Sequence, residues 1–112
     1  GRNPALPGVS DALRGNMRQT YIVAYDVCDP KRLRKVFRTM RGWGDHLQLS
    51  VFQCELSKRE LVELRTALAA IIDHDEDQVL FVDVGPVEGR GGECIRALGK
   101  PYTHPERHAL VV

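Results

Sequence analysis

A single carboxylate, Asp26, interrupts the run Tyr21-Ile22-Val23-Ala24-Tyr25-Asp26-Val27. Alternation along an extended strand puts Tyr21, Val23, Tyr25 and Val27 on one face and Ile22, Ala24 and Asp26 on the other. The carboxylate then sits half-buried among apolar neighbours, where its charge is costly unless it meets a cation or a donor. A hard divalent ion such as Mg²⁺ would answer that need, and so would a plain cap on the following turn. The second chemical feature is basic. Between Lys31 and Arg41 stand six cations (Lys31, Arg32, Arg34, Lys35, Arg38, Arg41) and no acidic residue, whereas Asp73, Asp75, Glu76 and Asp77 cluster elsewhere. Such a row either binds phosphates, with an affinity that falls steeply with salt, or keeps a helix face solvated.

Other arrangements that could carry chemistry fail on spacing. His104 and His108 are separated as zinc ligands often are, but Pro105 intervenes and no paired cysteines accompany them. Cys28 has no histidine at a spacing that would activate a thiol. The glycines around Arg90 precede no helix and lack the GxxxxGK[ST] pattern, and Gly99-Lys100 runs into Pro101, so no phosphate-binding loop is formed. Tyr21, Tyr25 and Phe52 could stack bases, yet the aromatic string of an RNA-recognition motif is missing.

The elements that must position these residues follow from periodicity. Asp29-Pro30 reads as an N-cap and first helical residue, and Leu33, Val36, Phe37 and Met40 form one apolar stripe of a helix that ends by Gly42 or Gly44. From Leu47 to Leu56 apolar and polar residues alternate with a slip at Val51-Phe52, which predicts a bulge or tight bend joining two short strands. Ser57 with Glu60 forms a capping box, followed by the inward stripe Leu61, Leu64, Leu68 and Ile71. Val79-Leu80-Phe81-Val82-Asp83-Val84 is a further strand, and residues 94–98 suit a short extra one. The order β-α-β-β-α-β predicts an α+β, ferredoxin-like sheet with both helices on one face. The other face, carrying Ile22 and Ala24, needs cover, and self-association is the economical source.

With 112 residues, 43% hydrophobic and 28% charged, the chain has the balance of one ordinary domain, and it buries roughly two thirds of its unfolded surface without needing disulfides. Lys plus Arg number 16 and Asp plus Glu 15, so the net charge of +1 conceals a dipolar distribution. Three cysteines without a CxxC pair and no signal-like apolar start predict a reducing, cytoplasmic setting, and no window reaches the roughly 20 apolar residues of a membrane span. Met17 reads as the natural start, residues 1–16 as a leader or loose arm, 17–99 as the core and 100–112 as a tail associated with a dimer.

Three stretches, Tyr25-Asp26-Val27, Asp29-Pro30-Lys31-Arg32-Leu33-Arg34-Lys35-Val36 and Gln48-Leu49-Ser50-Val51-Phe52, together resemble the small CRISPR-associated Cas2 family, partner of the spacer integrase. Cys94-Ile95-Arg96-Ala97-Leu98-Gly99 is similar to that family's final strand. The resemblance implies a ferredoxin-like homodimer whose C-terminal strand extends the partner's sheet, with two copies of Asp26 facing each other across the two-fold axis. Facing carboxylates repel, and Mg²⁺, or Mn²⁺ in its place, would relieve this while assisting phosphodiester hydrolysis. It further implies Tyr25, Ser50 and Phe52 as positioning groups beside the catalytic, metal-binding Asp26. Arg32, Arg34, Lys35 and Arg38 would bind DNA or RNA together with His46, which stands where many members carry Arg. The implied function is CRISPR adaptation with endonuclease activity on RNA or DNA. The alternatives are a non-catalytic dimer that holds DNA between integrase dimers and a toxin-type interferase acting on messenger RNA.

Overall fold

A computed structural model describes residues 17–89, 91 and 94–102. The expected leader, 1–16, and most of the expected tail, including His104 and His108, lie outside the described residues. Six elements follow one another: β1 (Gln19–Asp26), α1 (Pro30–Arg41), β2 (Gly44–Gln48), β3 (Val51–Leu56), α2 (Lys58–Ala69) and β4 (Gln78–Pro86). The strands form one sheet in the order β2-β3-β1-β4, every neighbouring pair antiparallel. Each helix therefore carries the chain past one intervening strand: α1 from β1 to β2 and α2 from β3 to β4.

One face of the sheet holds the core. Tyr21, Val23 and Tyr25 of β1 and Phe52, Cys54 and Leu56 of β3 pack against Val36 and Met40 of α1 and Leu64 and Leu68 of α2. The helical stripes fall where 3.6-residue periodicity puts them, although Leu33 is 37% exposed. Both helices open on side-chain caps. The Asp29 carboxylate accepts the Arg32 amide at 2.9 Å, and Ser57 and Glu60 make the reciprocal capping box.

The break between the two short strands falls at Leu49-Ser50, two residues before the expected slip, and the ladder shifts between His46 and Gln48. Gly44 is required where β2 meets β3: a Cβ there would stand 2.5 Å from both Cys54 Sγ and the Gln53 carbonyl. On the opposite face, Ile22 pairs with Val82 and Ala24 with Leu80. Leu80 and Val82 are about half exposed, so this face carries an apolar patch open to solvent.

Residues 94–102, where the short extra strand was expected, enter no ladder within the single chain, and Leu98 is fully exposed. Among the described residues no helix is long and apolar enough to cross a membrane.

Candidate active site and nucleic-acid face

The sheet separates the residues expected to form one catalytic group. Asp26 ends β1 opposite Gln78 of β4 and is exposed, not half-buried: it is the last residue of its strand, so its apolar neighbours lie to one side only. Its side chain shares the open face with Ile22 and Ala24, whereas Tyr25 points into the helical layer. There the Tyr25 ring stacks on Phe52 with centroids 6.2 Å apart, and its phenol shares a hydrogen bond with Ser50. Burial pushes the phenol above its ordinary value, against the opposing influence of Ser50, so Tyr25 is protonated at neutral pH. Phe52 is fully enclosed. It supports Tyr25, Phe37 and His46 from beneath.

His46 is held by the hairpin it belongs to. Its Nε2–H donates to the Leu49 carbonyl at 2.8 Å, a bond that fixes the proton on Nε2 because a carbonyl only accepts. The ring lies 5.0 Å from Phe37 and 4.8 Å from Phe52. Only Nδ1 remains to meet an outside group, so the phosphate-clamping role implied for this position is confined to one nitrogen. The turn that His46 braces places Leu49 at φ 35°, a left-handed conformation that costs a leucine roughly 1–2 kcal/mol.

The basic row divides as well. Arg32 turns away from the others and grips Asp77 with two hydrogen bonds, Nε to Oδ2 at 2.7 Å and Nη2 to Oδ1 at 3.2 Å. Asp77 also accepts the backbone amides of Cys28 and Asp73, and its side chain is fully enclosed. The guanidinium holds the Asp77 carboxyl well below the usual range, and the carboxylate raises Arg32 in return. Arg32 thereby braces the start of α1 against the loop before β4. Arg34, Lys35 and Arg38 stay exposed on α1 as expected.

Beside these cations runs an open groove of about 560 Å³ between α1 and the β2–β3 turn, walled by Leu33, Phe37 and Leu49, floored by Tyr25 and Ser50 and rimmed by Arg34 and Arg38. In the alternation Leu49 counts as a strand residue, and only its place in the β2–β3 turn, two residues before the slip at Val51-Phe52, brings it to the groove.

The model of the CRISPR associated protein Cas2 family matches residues 18–88, which span all six elements. The chain belongs to the Cas2 family. It is 42% identical over 99 residues to a CRISPR-associated endoribonuclease Cas2 of Rhodospirillum rubrum, covering 88% of this chain and 96% of that one. To its Geobacter sulfurreducens counterpart the identity is 40% over 96 residues, 86% of this chain and the whole of the other. The crystal structure of Streptococcus pyogenes Cas2 at pH 6.5 superposes with a TM-score of 0.62 at 32% identity, covering 71% of this chain and 99% of that one.

A divalent ion is what the Cas2 resemblance implies at Asp26. Among the described residues no three His, Cys, Asp or Glu side chains converge to hold one. The exposure of Asp26 on the open face suits a site completed by a second copy, where two carboxylates, waters and a phosphate oxygen would make up six oxygen ligands.

Proposed function

We propose that this chain is a CRISPR adaptation protein with metal-dependent endonuclease activity, working as a ferredoxin-like homodimer beside the spacer integrase. The observation that carries the reading is the position of Asp26. It stands exposed at the end of the same sheet face that bears the open patch Ile22, Ala24, Leu80 and Val82, so a second copy seated on that patch brings its own Asp26 alongside. The endoribonuclease names of the relatives support the same reaction class. Held between the two carboxylates, Mg²⁺ would supply charge neutralisation at the scissile phosphodiester and a more acidic water. Arg34, Lys35 and Arg38 hold the nucleic acid through its phosphates.

The test compares wild type and Asp26→Asn on labelled single-stranded RNA and double-stranded DNA, with Mg²⁺, with Mn²⁺ and with a chelator. Cleavage that needs the ion and disappears in the variant, with binding retained, is the expected result; cleavage that survives Asp26→Asn removes the reading. A scaffold without catalysis is the second reading, favoured by the placement of the exposed cations on the helical layer while Asp26 faces out of the other side. Binding by both proteins with cleavage by neither would establish it.

A further inference from the structure

The groups implied as positioning partners of Asp26 leave its own face bare. Tyr25 and Phe52 lie in the helical layer, Ser50 shares its hydrogen bond with Tyr25 there, and among the described residues no side chain donates to the Asp26 carboxylate. An exposed carboxylate at a strand end turns freely about its side-chain bonds, whereas a metal site needs the ligating oxygen held. The β1–β4 ladder supplies one neighbour able to hold it. Gln78 opens β4 directly opposite Asp26, and residues paired across an antiparallel ladder share a face with Cβ atoms about 5 Å apart. Val79 and Phe81 turn into the helical layer, so Gln78 turns outward with Leu80 and Val82, and it is exposed. The next pairs on this face, Ala24 with Leu80 and Ile22 with Val82, are apolar, and the β3 ladder stops at Val51 opposite Ala24, so no strand flanks Asp26 on its other side.

Both residues are fastened through one carboxylate. Asp77, gripped by Arg32, accepts the amide of Cys28 just beyond Asp26 and itself immediately precedes Gln78, so the ends of β1 and β4 are tied side by side. A carboxamide suits the place, because its N–H groups donate to a carboxylate without adding a further negative charge where two carboxylates would already face each other.

We propose that Gln78 is a positioning residue of the shared metal site: its side-chain N–H donates to one oxygen of Asp26 and leaves the other turned to the ion. The inference rests on the reading of Asp26 as a metal ligand and adds the group that orients it.

The experiment titrates Mn²⁺ into the full chain, reading the free ion by electron paramagnetic resonance, beside cleavage of labelled single-stranded RNA over a range of Mg²⁺. Gln78→Met removes the donor and keeps a long side chain, while Gln78→Asn keeps the carboxamide on a shorter stem. Gln78→Met is expected to weaken Mn²⁺ binding about tenfold and to raise the Mg²⁺ requirement of cleavage by the same factor, with the KM for RNA, the dimer and the thermal midpoint unchanged. Gln78→Asn is expected to fall between this variant and the wild type. Unchanged Mn²⁺ binding in Gln78→Met would overturn the role, and so would a loss that accompanies a lowered midpoint or a dissociated dimer. Asp26→Asn separates that failure from failure of the underlying reading. If it abolishes Mn²⁺ binding while Gln78→Met leaves binding intact, Asp26 holds the ion without Gln78; if Asp26→Asn binds Mn²⁺ as the wild type does, both readings fall.

Discussion

At the scale of single residues, the ion pair of Arg32 and Asp77 sets a pH dependence. Asp77 is enclosed, receives a two-point grip from the guanidinium and two backbone amides, and is held ionised well below its ordinary value of 3.8. A carboxyl whose folded value is depressed contributes stability that is fully present above its unfolded value and lost as the pH falls below it toward the folded one. Asp77→Asn is therefore expected to lower the unfolding temperature at pH 7 by roughly 5–10 °C and to flatten its fall between about pH 5 and pH 2. Thermal unfolding followed by circular dichroism across that range decides the matter, and an unchanged pH profile would mean that the pair adds nothing. Because Arg32 is occupied in this way, Arg32→Ala belongs with the stability variants. Its expected signature is the same thermal loss with the salt dependence of nucleic-acid binding retained.

At the scale of elements, caps and faces give sharper expectations. Ser57 accepts the Glu60 amide at 3.2 Å while Glu60 accepts the Ser57 amide at 2.9 Å, so both ends of the box are closed. Ser57→Ala opens it and is expected to cost about 1 kcal/mol in denaturant unfolding, with the midpoint moved and the slope kept. The exposed face of α1 makes a different demand: Arg34→Ala with Arg38→Ala should reduce the slope of log affinity against log salt by about 2, one for each phosphate contact removed. An unaltered slope would leave the row a solvated helix face. The legibility of these elements in the sequence follows the reach of local rules. Caps at Asp29 and Ser57 and the stripes around Val36 and Leu64 depend on neighbours within one or two turns, and the structure has them where periodicity puts them. The partner of Arg32 lies 45 residues away, and no local pattern reports such a contact. Asp26 was legible as a lone carboxylate on a strand, while its exposure depended on where the strand ended. The hairpin break at Leu49 was displaced because a leucine in a left-handed turn runs against the residue preferences by which turns are recognised.

At the scale of the whole molecule, the described residues cover the sheet on one side only, and the proposed active site is incomplete in one chain. These two facts have a common resolution. The patch of Ile22, Ala24, Leu80 and Val82 lies on the face of Asp26, so in the proposed dimer burying it against a second copy would remove apolar surface from water and gather two carboxylates in a single step. Replacing Leu80 and Val82 by Asp puts two charges per chain into that contact without disturbing the core, since both side chains are about half exposed in the single chain. Sedimentation of the wild-type protein at micromolar concentration should show a dimer, and the double variant should dissociate about a hundredfold more readily. Cleavage should fall with the dimer, whereas binding through Arg34 and Arg38, which lie on the opposite layer, should persist at the level of a single chain. A wild-type monomer at that concentration would deprive Asp26 of its counterpart and, with it, the shared metal site of its geometry. A dimer that survives both aspartates would place the interface elsewhere on the fold.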